Sequence, residues 1–80
     1  MIDRISDLAE GQKIKVIKSF NDFDGKEIKV GSVWTFRSYT YFIYDGGYTV
    51  SFDEGVMRLA EIDHETDYVL SNFNEFFEVI

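Results

Sequence analysis

Apolar and polar residues alternate over residues 13–20. Ile14, Val16 and Phe20 share one face and Lys13, Lys15 and Ser19 the other, which predicts a first strand, with Ile17 and Lys18 off parity. Asp22-Phe23-Asp24-Gly25 predicts a turn, because Asp24 can bond its local backbone and Gly25 tolerates positive φ. Residues 26–30 return as a short second strand ending at Gly31. Residues 32–44 are too long for one flat strand. Trp34, Phe36, Phe42 and Tyr44 have one parity and Tyr39, Tyr41 and Ile43 the other, so a bulge within 37–40 would swap faces and let both sets pack. Asp45-Gly46-Gly47 predicts a hairpin loop into a strand over 48–53, with Val50 and Phe52 opposed to Thr49 and Ser51. Glu54-Gly55 predicts a second hairpin into a strand over 56–62. Ahead of these, residues 6–10 fit one helical turn, with Asp7 and Glu10 as a capping box and Gly11 as the stop.

The period changes at the end of the chain. On a helical wheel, Val69, Leu70, Phe73, Phe76, Phe77 and Ile80 fall within about 100°. Asp67, Ser71, Asn74, Glu75 and Glu78 fall opposite. This predicts an amphipathic helix over residues 66–79, with Thr66 or Asp67 as N-cap. The elements together predict a mainly β fold: a small SH3-like antiparallel barrel of five or six strands over 13–62, capped at its open end by the C-terminal helix. Residues 1–12 form the N-terminal turn of the same single domain. Burial of three phenylalanines at ~25 cal/mol per Å² contributes several kcal/mol. That is a large share of a typical stability of about 5–15 kcal/mol, so the helix is expected to be integral.

Composition narrows the chemistry. Eighty residues allow one domain, which should bury about 63% of its unfolded surface. There is no Cys and one His, so disulfides, thiolate nucleophiles and zinc sites built mainly from Cys or His within one chain are excluded. Charges at Asp3, Arg4 and Asp7 interrupt the N-terminus, and no apolar run reaches the ~18 residues of a membrane span. The expectation is a cytoplasmic protein with no membrane contact.

One stretch is distinctive. It runs Gly11-x4-Val16-x3-Phe20-x-Asp22-Phe23-Asp24-Gly25, then Val30-Gly31-x2-Trp34-x-Phe36-x2-Tyr39. It continues through Tyr44-Asp45-x-Gly47-x-Thr49 and Arg58-Leu59 to an acidic, Phe-rich end. Over roughly residues 8–77 the chain resembles a family of small uncharacterised bacterial domains of unknown function. Val30-Gly31-x-x-Trp34-x-Phe36 is its most specific part, and Ile43 stands where family members often carry Pro. The resemblance implies a bacterial source and an SH3-like barrel, and brings no catalytic residue and no ligand.

Residue chemistry excludes more than it selects. Asp22-x-Asp24-Gly25 matches part of a calcium loop. Aligning Gly25 with the obligatory glycine puts Phe20 and Gly31 at the first and last ligand positions, which leaves turn chemistry. Glu61, Asp63, His64, Glu65 and Asp67 cluster around the lone imidazole, but their spacing matches no defined metal site. With 15 acids, any carboxylate pair is uninformative. No nucleophile elbow or phosphate loop is present. A barrel this small rarely encloses several hundred Å³. The expectation is a protein that is not an enzyme and needs no cofactor or metal.

Charge is unevenly placed. Residues 1–44 hold six acids and seven bases; residues 45–80 hold nine acids and one base, Arg58. The second part therefore carries −8 and the first +1, which together give the net charge of −7. Glu75 and Glu78 lie where a helix C-terminus is already negative, a placement that folding alone does not favour. The leading expectation is a non-enzymatic protein-interaction module with an acidic surface at Glu61, Asp63, Glu65, Glu75 and Glu78. Such a surface suits an immunity-type or antitoxin-like inhibitor of a partner with a basic surface. The bland alternative is a solvated face that keeps an aromatic-rich domain soluble. A different class of function would use Arg37, Tyr39, Tyr41 and Lys29, extended by Lys13 and Lys15, as an aromatic-basic face for single-stranded nucleic acid or a small ligand. The net charge opposes nucleic acid. A monomer or weak homo-oligomer is expected.

Overall fold

In the computed structural model, which describes residues 4–44 and 46–80, β1 (Lys13–Val16) buries Ile14 and Val16 and leaves Lys13 and Lys15 in water. The expected strand over 13–20 stops at Val16. The Ile17 N–H still bonds the carbonyl of Phe76 at 2.8 Å, the position next in register after Val16 and Phe77. Phe20 instead opens β2 (Phe20–Asn21), which pairs with β3 (Glu27–Ile28) as a separate two-stranded ribbon around the Asp22–Gly25 turn.

The run of alternating aromatics forms a single ten-residue strand, β4 (Val33–Phe42), with the predicted bulge at Arg37. Phe36 pairs with Phe52 and Tyr39 with Val50, so two residues three apart face the same side. The bulge thus puts Trp34, Phe36, Tyr39 and Tyr41 on the core face. It does not bury both aromatic sets as expected. Phe36 is buried, whereas Phe42, Ile43 and Tyr44 are exposed. The hairpin outruns the core it would pack on. Of the expected hairpin loop, Asp45 lies outside the described residues, as do residues 1–3 of the N-terminal reading.

Strands β5 (Gly47–Phe52) and β6 (Gly55–Ala60) complete a five-stranded antiparallel sheet ordered β6-β5-β4-β1-β7. Among the described residues β6 and β7 do not pair, so the sheet stays open where an SH3-like barrel would close. The outer edge of β6 shows why. Asp22 Oδ2 accepts from Arg58 N–H, and Phe23 N–H donates to the Arg58 carbonyl. Lys26 Nζ donates to the Val56 carbonyl, and the Thr66 hydroxyl bonds both Ala60 N–H and Ala60 C=O. Side chains and a turn occupy the groups that a neighbouring strand would need.

The C-terminal segment corrects the single helix over 66–79. Helix α1 (His64–Ser71) starts earlier, with Asp63 as the N-cap accepting from Thr66 N–H at 3.2 Å. It ends because the Asn72 side chain donates to the Tyr68 carbonyl at 2.9 Å, an acceptor that the next helical N–H would have used. A one-turn helix, α2 (Phe73–Phe76), follows. The chain then becomes extended as β7 (Phe77–Val79), pairing with β1 through Val16 and Phe77. Val69, Phe73, Phe76 and Phe77 are buried, as the apolar arc requires, but Ile80 is exposed. Phe20 meets Phe76 and Phe77 edge-on at 5.5 and 5.6 Å. The N-terminal turn is a 3-10 helix at Ile5–Asp7 that buries Ile5 and carries no side-chain cap, in place of the expected capping box. No helix among the described residues is long and apolar enough to cross a membrane.

Candidate functional site

Thr66 fixes the position of α1. Fully buried, it ties the first turn of the helix to the end of β6 at Ala60. This leaves an open groove of about 730 Å³ between the C-terminal helices, β5 and the N-terminal turn. The expectation against such a volume concerned a barrel interior, and this groove lies outside the sheet. Ile5, Tyr48, Leu70 and Phe73 line it together with Glu61, Asp67, Glu75 and Arg4.

Tyr48 belongs to a second feature. Its ring lies 5.8 Å from that of Tyr39 and 4.9 Å from that of Tyr41, tilted by 47° and 52°. The three rings form a ladder across β4 and β5, placed on one face by the bulge at Arg37. Tyr39 and Tyr41 are 41% and 47% exposed, whereas Tyr48 is half-buried against the core, so the ladder runs from the core edge onto the surface. The Tyr41 hydroxyl donates to Glu61 Oε1 at 3.4 Å. Glu61 is held there by its own N–H, which bonds the Gly46 carbonyl at 3.1 Å. Ladder and groove therefore meet at Tyr48 and Glu61.

The five predicted acids do not form one face. Asp63 caps α1, and Glu65 accepts from Asn21 N–H at 2.7 Å, tying the helix to β2. Glu75 accepts from Lys18 Nζ at 2.9 Å and from the Tyr68 hydroxyl at 3.1 Å. Those two hydrogen bonds hold its carboxyl below the ordinary range, and in return Glu75 raises Lys18 and Tyr68. Glu78 stands exposed on β7 opposite Lys15. Only Glu61 and Glu75 of the five reach the groove, where Asp67 joins them. Glu61 and Asp67 are in no ion pair among the described residues. Nor do three Asp, Glu or His side chains there converge on a metal position.

The aromatic-basic face is not assembled either. Arg37 is held in a bidentate pair by Asp53, with Glu10 Oε2 3.8 Å away. The hydrogen bond from Arg37 lowers Asp53 and, reciprocally, raises Arg37. Lys29 lies in the turn before β4, its carbonyl bonded by Ser32, at the far end of the strand from Tyr41. The Asp22–Gly25 turn is built from Asp22 Oδ1, which accepts from Asp24 and Lys26 N–H at 3.0 and 2.9 Å. Sequence reasoning missed Tyr48 and Leu70. Tyr48 was accessible through hairpin register, which sets it opposite Tyr41.

A family model described as a domain of unknown function (DUF3601) matches residues 3–80. No curated protein matches the chain. Among solved structures, an integron cassette protein from the mobile metagenome of Vibrio cholerae is similar, with a TM-score of 0.82 and 23% identity. The likeness covers 91% of this chain and 88% of that one and bears on the fold alone.

Proposed function

The chain belongs to the DUF3601 family of domains of unknown function, and from its groove we propose a non-enzymatic, cytoplasmic protein-interaction module that docks a basic segment of a partner protein. The observation that carries this is the groove's lining, which brings Leu70 and Tyr48 together with Glu61 and Asp67. Apolar contact gives affinity, and the acids speed and orient the approach of a cationic partner. The nine acids of residues 45–80 extend that field beyond the groove. An immunity-type or antitoxin-like inhibitor covering a basic enzyme surface would need this combination. The nucleic-acid reading loses support because Arg37 is already neutralised by Asp53.

A (Lys-Leu-Gly)3 peptide tests the proposal. At low salt it should shift the backbone amide resonances of Leu70, Ser71 and Asn74. The Glu61→Gln/Asp67→Asn double variant should weaken binding about two- to fivefold per charge removed. Unchanged affinity in that variant, or shifts confined to other surfaces, overturns it.

A further inference from the structure

The tyrosine ladder has a chemistry of its own. Each ring presents an electron-rich face that attracts a cation within about 6 Å of its centroid. The chain's own cations already use this contact elsewhere. Lys18 lies over Phe76, Lys26 over Trp34 and Arg58 over Phe23, at 5.2, 5.9 and 5.3 Å. Among the described residues no lysine or arginine is placed over Tyr39, which is exposed, or over Tyr48, which is half-buried. The Glu61 carboxylate stands at the end of the ladder beside Tyr41.

We propose that Tyr39, Tyr48, Tyr41 and Glu61 form a binding site for an arginine side chain presented by the partner protein. This deepens the docking reading and rests on it for the basic partner. A guanidinium is planar and weakly hydrated, so it can lie on a tyrosine face while its edge donates to a carboxylate. An ammonium makes the ion pair but does not stack. Nucleic-acid bases would also stack on tyrosines, but phosphates would then face Glu61 instead of a cation, because Arg37 is engaged by Asp53. The geometry of the hairpin keeps the acid in place. Glu61 N–H is bonded to Gly46, and a side chain at Gly46 would collide with Glu61. The occupant reaches the ladder and the groove at once, since Tyr48 and Glu61 line both.

The test compares acetyl-Gly-Arg-Gly-amide with the same peptide carrying citrulline, a neutral isostere of arginine. Aromatic resonances of Tyr39, Tyr41 and Tyr48 are followed by NMR at low salt. The arginine peptide should shift them and the citrulline peptide should not. Tyr39→Leu and Tyr41→Leu should each weaken binding about two- to fivefold, as should Glu61→Gln. Because the comparison between peptides uses the native chain, a destabilised variant does not blur the result. Equal shifts from both peptides, or shifts elsewhere, overturn the proposal. So does a thymidine oligonucleotide that shifts the tyrosines more strongly than arginine. If (Lys-Leu-Gly)3 engages Leu70 and Asn74 while arginine leaves the ladder silent, the docking reading stands and the arginine site falls. The reverse pattern separates them the other way.

Discussion

Asp22 gives the sharpest test of why the sheet stays open. It is 4% exposed and accepts three backbone hydrogen bonds. Two serve its own turn, from Asp24 and Lys26 N–H; the third, at 3.3 Å, satisfies Arg58 N–H on the outer edge of β6. Asp22→Ala removes all three. The turn amides can recover water, so each loses a net ~0.5–1.5 kcal/mol; the partly buried Arg58 amide is orphaned at ~1–3 kcal/mol. The sum is about 2–6 kcal/mol, against a total stability of ~5–15 kcal/mol. At ~4–8 °C per kcal/mol for a domain of this size, the melting midpoint should fall by at least ~8 °C. Asp22→Asn separates the contributions. Its amide oxygen keeps the two turn bonds, but its nitrogen then faces Arg58 N–H, donor to donor. Flipping the amide trades that clash for two others. The loss should be about 1–3 kcal/mol, so stability follows wild type, then Asn, then Ala. Calorimetric melts at neutral pH give the order. If Asp22→Ala melts within ~4 °C of wild type, or Asn and Ala coincide, the edge-plug argument is wrong.

Acid should weaken three carboxylate contacts. Hydrogen bonds from Lys18 to Glu75, from Arg37 to Asp53 and from Thr35 N–H to Glu54 lower all three carboxyls in the folded state. Their contribution is therefore complete above the unfolded values of 4.5 and 3.8 and is lost as pH falls through the lower folded values. Protonation also relieves the repulsion of a −7 chain, so the readout is the difference between wild type and Glu75→Gln. That difference should shrink between pH 5 and pH 3, and a constant gap refutes the assignment. Gly46→Ala should be worse than Gly25→Ala. Both have positive φ, but a Cβ at Gly46 would sit 2.7 Å from Glu61 Cβ, whereas at Gly25 it would meet nothing within 4 Å. The added cost of about 1–3 kcal/mol should appear as a lower melting midpoint; equal melting of the two variants contradicts it.

The parts of the fold legible in the sequence are those fixed by near neighbours. Alternation marks β1 and β5, the Glu54-Gly55 turn marks β6, and the parity switch between Phe36 and Tyr39 marks the bulge. What stayed hidden depends on partners far along the chain. The apolar arc of Val69, Phe73, Phe76 and Phe77 suits one helix as well as it suits a helix followed by a strand. The outcome is decided by the free edge of β1, which takes Phe77 opposite Val16, and by Asn72 bonding the Tyr68 carbonyl. Whether the sheet closes turns on contacts of the same kind. Asp22 and Thr66 read locally as a turn residue and a cap, yet both reach across to the edge of β6. The acids repeat the lesson. Their sum is plain from composition, but Glu75 meets Lys18 across 57 residues and Glu65 meets Asn21 across 44. Two carboxylates that looked like open surface are thereby committed to holding the C-terminal segment on the sheet. What remains for a partner in the groove is the charge of Glu61 and Asp67, which are in no ion pair among the described residues. It lies beside the tyrosines of a hairpin that extends beyond the core. A search for the partner should therefore alter Glu61 and Asp67 and leave Glu65 and Glu75 alone, because changing the latter pair would confound lost binding with lost structure.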